Sequence, residues 1–497
     1  MIFILGFFAL VCALLYRHSA DTDLWAKLSI GQQLLQTGAL PTQDHYAFTK
    51  TFPVYVDHEW GAGTVFYALL KYTGTLGLLA IKLLLPVILI LGIITARRQT
   101  VSWSVTLLLS LGAGACLLLA FTPVIRSHVF TYFLFAVTLF LLEKLRTDIR
   151  PHWGIVAGIV LTMLVWVNLH GGFAAGLGAT GVYAAWAILQ KERGRWFSLV
   201  LLPSVAVTCV NPYGISYWKV ILPALTEKRE LIGEWKALPI LALDNYLAFR
   251  ILFGLCVVVI IIGCKKIRNN IPGFLLLLVT AYLGWTSRRH AAFFGIATLF
   301  YSGLYFQEAI KMAQEKLALL KRLSGYLVVL GCYTLLTVYA VSSWLPGAST
   351  QVLAPIVDYP VREVDILSLA DASGNLATPF HWGSYCSWRL TPKIKVSCDG
   401  RYEAVYPEDT FRMNQDFYTH QGTNWDRLLK TYQVDYIVLD LRSQVLQPSD
   451  LLPYGYRLIW MVDNVSALLC KTNEFNKLHL VATNLPPYTI DPFTLHQ

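Results

Sequence analysis

Apolar runs of bilayer-crossing length recur along the chain to about residue 345, with polar punctuation between them. A helix needs ~20 apolar residues to cross the hydrocarbon core. Hydropathy places about eleven such spans, near 1–16, 76–95, 102–121, 128–142, 153–168, 173–189, 197–210, 248–264, 271–286, 291–307 and 325–345. The first is short. It lacks a basic start and a small-x-small cleavage site, so it reads as a signal anchor rather than a removed signal peptide. Lys and Arg cluster in alternate loops: Arg97 and Arg98; Lys144, Arg146 and Arg150; Lys191, Arg193 and Arg195; Lys265, Lys266 and Arg268; and the stretch from Lys311 to Arg322. Positive loops stay cytoplasmic. This predicts a multi-pass plasma (inner) membrane protein with its N-terminus in the cytoplasm and the Asp21–Trp60 loop outside. The odd span count puts the C-terminal region outside as well, in the periplasm or extracellular space.

Beyond Leu345 the pattern changes, and Asp, Asn, Arg and Pro return. "NLATPF", "IKVSCD", "DYIVLD" and "VSALLC" read as strands, and "PEDTFRMNQDFY" and "NWDRLLKTY" as helices. Alternation of the two argues for a small α/β domain. The expected architecture is therefore an α-helical polytopic membrane domain, residues 1–345, whose first outer loop covers 17–75, followed by an extracytoplasmic α/β domain, residues 346–497.

Composition agrees with the membrane class: 56% of the 497 residues are hydrophobic and 14% charged. The formal charge of +10 does not point to nucleic acid, because the positive residues lie in short loops where they set topology. Cys386 and Cys398 fall in the C-terminal region. They could be bridged in an oxidising compartment or remain buried thiols; spacing alone does not decide. "GLGATG" (Gly176–Gly181) fits the dinucleotide pattern but sits inside an apolar span, which makes it a helix-packing surface. "HEW" at His58 starts like a zinc-protease motif, but Ala62 stands where the second His is needed. The sequence has no Walker loop, no G-x-S-x-G and no zinc-type Cys/His spacing.

The first outer loop carries Asp21, Asp23, Asp44, Asp57 and Glu59, together with His58. Leu24, Trp25, Leu28, Leu34 and Leu35 share one side of a predicted helix that Gly38 and Pro41 end. Such a helix is suited to lie along the outer membrane face. Asp21 and Asp23 stand at its start, and Asp57 and Glu59 at the start of a second helix, where acids serve equally as caps. Other outer loops supply the opposite charge: Arg126 and His128, Asn168 and His170, Asn211, and Arg288, Arg289 and His290. A lone Arg at an outer span end snorkels. An Arg-Arg-His group with a further Arg marks an anion site, and Arg suits phosphate oxygens.

The segments "DTDLWAKLSIGQQLLQTGALPTQDHYAFT…VDHEW", "RSHVFTYFLFAVTLFLLE", "WVNLHGGF", "NPYG", "SRRHAAFF" and "CDGRYEAVYPED" resemble, in order, segments of bacterial GT-C-type integral membrane glycosyltransferases and their uncharacterised relatives. The resemblance spans most of the chain. It implies a polyprenyl-phosphate-linked sugar donor, an active site facing away from the cytoplasm, and an acidic residue in the first outer loop near the end of the first span. Asp23, with Asp21 beside it, matches that position. The chain departs from the pattern next to it: where relatives carry two aromatics and a His, it has Trp25, Ala26 and Lys27.

Glycosyl transfer needs a base for the acceptor hydroxyl and positive charge for the leaving phosphate. On this reading Asp23 is the base with Asp21 beside it, and Asp44, His58 and Glu59 shape the acceptor or metal site. Arg126, His170, Arg288, Arg289 and His290 hold the lipid phosphate. The partners implied are a polyprenyl-phosphate sugar, membrane lipids and an extracytoplasmic glycan, lipid or protein acceptor in cell-envelope glycan biosynthesis, with a divalent cation left open as cofactor. Two other classes stand beside it. A transporter or flippase of lipid-linked precursors would carry ionisable residues in mid-span, whereas here they sit mainly at span ends. A non-catalytic scaffold needs no such acid and arginine groups.

Overall fold

In the computed structural model, the described residues are 10–12, 14–15, 18–120, 124–148, 153–190, 194–226, 233–242, 244, 246–316, 331, 351–442, 445–486 and 491–493. The first predicted span lies largely outside them, and the eleventh almost wholly so. The chain forms two compact units. One comprises Met1–His18 with Leu79–Thr350, the other Ser19–Leu78 with Gln351–Gln497. The first outer loop thus shares its unit with the C-terminal region.

In the first unit, helices stand where the apolar runs predict them: Leu84–Arg98, Trp103–Ala120, His128–Thr147, Trp153–Leu169, Phe173–Leu189, Gly194–Val207, Leu247–Ile262 and Ile271–Thr286. The 291–307 run is broken into Ala291–Tyr301 and Gly303–Lys316. Among the described residues, Thr75–Arg98 and His128–Thr147 are long and apolar enough to cross a membrane by length and composition, and six shorter apolar helices accompany them. The GLGATG run lies inside the Phe173–Leu189 helix, so it has no strand to make a nucleotide-binding turn.

The basic loops meet at one end of this helical unit. Arg98 pairs with Asp148, Arg146 with Glu143, and Asn270 donates to Glu143 at 2.9 Å. At the other end of the His128–Thr147 helix, roughly 30 Å away at 1.5 Å per residue, the loops around Arg126, His170, Glu234 and Arg289 gather. The alternation of charge read from the sequence therefore corresponds to the two ends of the helices.

The second unit contains a five-stranded mixed sheet: β1 (Gly374–Ala377), β2 (Ile394–Val396), β3 (Tyr436–Asp440), β4 (Tyr456–Val462) and β5 (Ser466–Lys471), in the order β2-β1-β3-β5-β4. β1 runs parallel to β2 and β3, while β5 is antiparallel to β3 and β4. Four of these strands were legible; β4 and the helices Val361–Leu369, Phe380–Leu390 and Phe475–Thr483 were not. The first loop closes the β2 edge, where Val396 donates to the Tyr46 carbonyl at 2.9 Å and Phe48 to the Val396 carbonyl at 3.1 Å. A covered edge cannot pair with another chain. Cys386 and Cys398 are free, buried thiols.

Candidate functional site

The acid-rich loop folds against the C-terminal region within the second unit. Its first helix runs Thr22–Thr37, capped by the Asp21 carboxylate, which accepts from the Thr22 N–H at 2.8 Å. Gly38 ends it in a left-handed conformation at φ 72°. Of the apolar stripe, Leu24, Trp25 and Leu28 are buried, while Leu34 is half-buried and Leu35 is 43% exposed, so the first half of the stripe does not lie open to a membrane face. Trp25 stacks on Phe493 at 4.9 Å and meets Tyr385 and Tyr359 edge-on at 5.0 and 5.7 Å. Tertiary packing thus claims a face that the sequence assigned to lipid.

Asp23 occupies the first turn of this helix. A Cβ on Gly400 would fall 3.0 Å from Asp23 Oδ1 and 3.0 Å from Ser384 Oγ. Glycine in "CDGR" therefore lets the backbone approach the carboxylate. Next to it, the Arg401 guanidinium binds Asp399 through Nε at 2.9 and 3.1 Å and also reaches Asp44. It stacks over Tyr46 at 4.7 Å. Asp44 also accepts from the Ala47 N–H at 2.7 Å. Its carboxylate ties the loop to the 398–401 turn, a task the sequence did not disclose.

Asp57 and Glu59 converge on Lys27. The ammonium lies 3.2 Å from Asp57 Oδ1 and 2.9 Å from Glu59 Oε2, with all three side chains at most 10% exposed. Asp57 also accepts from the Tyr55 hydroxyl at 3.1 Å and the Glu59 N–H at 2.8 Å. His58 Nε2 sits 3.8 Å from Glu59. Burial alone would lower the Lys27 pKa, but the charges of Asp57, Glu59 and then Asp23 outweigh it and hold the ammonium well above its ordinary value. Lys27 is a buried cation of the loop. Its i,i+4 spacing from Asp23 was the one available signal.

In the first unit, Arg126 forms a two-pronged contact with Glu234, at 2.9 and 3.3 Å. Arg289 lies 3.7 Å from the same carboxylate and 4.5 Å over the Trp235 ring. Arg288 lies over the Tyr246 ring at 5.9 Å. The structure thus brings Arg126 and Arg289 together, as expected, and adds Glu234, an acid the sequence reading did not single out. His170 Nδ1 accepts from the Gly172 N–H at 2.8 Å and lies 3.0 Å from the Thr131 hydroxyl, and its ring stands 4.7 Å from that of His128. Burial, and then the charge of Arg289, push His290 down to about 4. The shift favours the neutral imidazole of His290 at physiological pH.

No family model and no curated protein matches the chain. Solved structures do. The archaeal oligosaccharyltransferase AglB from Archaeoglobus fulgidus, in complex with an inhibitory peptide and a dolichol-phosphate, superposes at TM-score 0.60 with 10% identity, over 89% of this chain and 69% of that one. A second structure of the A. fulgidus oligosaccharyltransferase, with Zn and sulfate, gives 0.58 at 11% identity over 89% and 68%. ArnT from Cupriavidus metallidurans, bound to undecaprenyl phosphate, gives 0.53 at 12% identity over 94% of this chain and 96% of that one. All are membrane glycosyltransferases of the GT-C superfamily. The chain has the GT-C fold. At these identities the likeness is one of fold, and the expectation of a polytopic helical membrane protein with a small C-terminal sheet stands on it.

The zinc in one GT-C structure raises the question of a metal here. The first-loop acids do not fit one as they stand. Divalent cations need several oxygen ligands at about 2.0–2.6 Å, and the Lys27 ammonium sits between Asp57 and Glu59. Among the described residues, no group of three or more His, Cys, Asp or Glu could hold a metal ion.

Proposed function

We propose that the protein is a membrane glycosyltransferase that moves a sugar from a polyprenyl-phosphate-linked donor to an extracytoplasmic acceptor. The observation that carries this reading is the shared fold, which covers 94% of this chain and 96% of ArnT. In the first unit, Arg126, Arg288 and Arg289 would take the donor phosphate, whose charge grows as the sugar–phosphate bond breaks. His170 and neutral His290 would add hydrogen bonds. Glu234, bound to Arg126 and near Arg289, would hold their positions and give way to the stronger phosphate acceptor. In the second unit, Asp23 would accept the proton of the acceptor hydroxyl. Asp21 would keep the helix start in place, and Glu59 and His58 would shape the acceptor side. No step is assigned to a metal.

The reading is tested by incubating purified full-length protein with a panel of polyprenyl-phosphate sugars and measuring release of the free lipid phosphate. Release with one or more donors, abolished by Asp23→Asn, supports it. Binding of the lipids without release from any donor would favour a transporter instead.

A further inference from the structure

We propose that Lys27 is a built-in cation of the first outer loop, standing where a divalent metal would otherwise bridge Asp57 and Glu59, so that this loop is assembled without metal. The inference concerns how the loop is held. It is tested without any sugar donor, so it stands or falls apart from glycosyl transfer.

Several observations lead to it. The ammonium is 2.9 and 3.2 Å from one oxygen each of Glu59 and Asp57, which is charge-assisted hydrogen-bond geometry. The lysine is deeply buried, with 8% exposure for the whole residue. A solvated surface lysine swings away readily when a metal arrives, whereas this side chain is only 10% exposed. Its backbone is fixed too. A Cβ on Gly63 would lie 2.5 Å from the Lys27 carbonyl oxygen, so the Thr22–Thr37 helix touches the start of the Trp60–Thr73 helix at this residue. That contact delivers the lysine stem to the 57–59 segment. Asp57 is held on its remaining sides by the Tyr55 hydroxyl and the Glu59 N–H, leaving it oriented toward the lysine.

The charge arithmetic agrees. Two carboxylates buried side by side cannot both ionise without a partner. One ammonium facing both, with Asp23 also close enough to bear on it, supplies that partner permanently. A divalent ion added to the same place would meet like charge from the lysine in a poorly solvated pocket.

The test uses full-length protein in detergent, with Mn²⁺ as the probe. Binding is followed by titration calorimetry and by the Mn²⁺ electron paramagnetic resonance signal, and stability by melting with chelator or with excess Mn²⁺. The wild type is expected to take up no stoichiometric Mn²⁺ and to melt at the same temperature in both conditions. Lys27→Ala is expected to gain Mn²⁺ binding and to melt higher with Mn²⁺ than with chelator; a further Asp57→Asn removes that gain. Lys27→Arg should behave like the wild type. Stoichiometric Mn²⁺ binding by the wild type that is lost in Asp57→Asn would overturn the proposal. So would a folded Lys27→Ala variant that takes up no Mn²⁺. If Lys27→Ala does not fold, the wild-type titration alone decides.

Discussion

Gly31 and Gly63 meet backbone to backbone: a Cβ placed on Gly31 would come within 2.1 Å of the Gly63 carbonyl oxygen. The atom it meets is main chain and cannot swing aside. The close crossing brings Lys27 to Asp57 and Glu59. Gly31→Ala should therefore destabilise the protein by about 1–3 kcal/mol as overpacking, despite alanine's better helix propensity. Gly178, also helical, has nothing within 4 Å of its would-be Cβ, so Gly178→Ala should show no loss. Denaturant melts of the two variants check this, and equal stability would show that the crossing can relax.

Glu234 sits between two arginines that are assigned to a phosphate. Its removal as Glu234→Gln leaves Arg126 and Arg289 without their competing acid. Affinity for polyprenyl phosphate should rise about 10- to 100-fold, the worth of one charge-assisted hydrogen bond. Arg288→Ala with Arg289→Ala should weaken it by about 1.5–3 kcal/mol per lost bond. Lipid-binding isotherms on the folded variants read both. Unchanged affinity in the double variant would return these arginines to snorkelling.

Asp21 and Asp23 separate cleanly by variant. Asp21 is the cap, so Asp21→Ala should cost about 0.5–2 kcal/mol of stability. Asp23→Asn keeps the shape and loses basicity. It should cut transfer by about 10²–10⁴-fold and cost no more than ~1 kcal/mol through the lost charge at the helix start. A stable Asn variant with full turnover would end the role of Asp23 as base.

Glu363 sets a pH dependence in the second unit. Burial raises its carboxyl from 4.5 to about 6, against a hydrogen bond from Ser466 that favours ionisation. The folded value lies above the unfolded one, so protonation favours folding. That contribution is complete below about 4.5 and disappears as pH rises through about 6. A shift of this size corresponds to on the order of 2 kcal/mol. Glu363→Gln should flatten the pH profile of melting by that amount across this window. A profile identical to the wild type's would show that the buried carboxyl is not the cause.

Topology is checked by fusion. A phosphatase joined after Gln497 should be active only when exported, and loop charge predicts that it is, because it predicts an external C-terminal region. An inactive fusion, paired with an active cytoplasmic reporter at the same point, would invert the assignment and place the acid-rich loop in the cytoplasm.

The sequence by itself determined what depends on local periodicity and charge. Bilayer-length apolar runs mark helices whatever they pack against, because backbone groups in lipid must bond within their own segment. So the long apolar helices between Leu84 and Thr286 were readable within a few residues, while the short Trp218–Thr226 helix was not. Alternating Lys/Arg loops assigned the helix ends, and Arg126 with Arg289 emerged as a group because arginine at the outer ends is unusual. Strands β1, β2, β3 and β5 were read from their apolar runs, whereas β4 was passed over although Leu458–Val462 is an apolar run too. What the tertiary structure decided is which side chains face one another across long separations. Lys27 is a polar residue in a helix of the first outer loop, and only packing buries it with Asp57 and Glu59. Asp44 and Arg401 stand far apart in sequence, and nothing local couples them. The apolar stripe of the Thr22–Thr37 helix looked suited to a membrane, but hydrophobic burial is non-directional. The stripe states that it must be covered; the aromatic rings of Tyr359, Tyr385 and Phe493 decide by what.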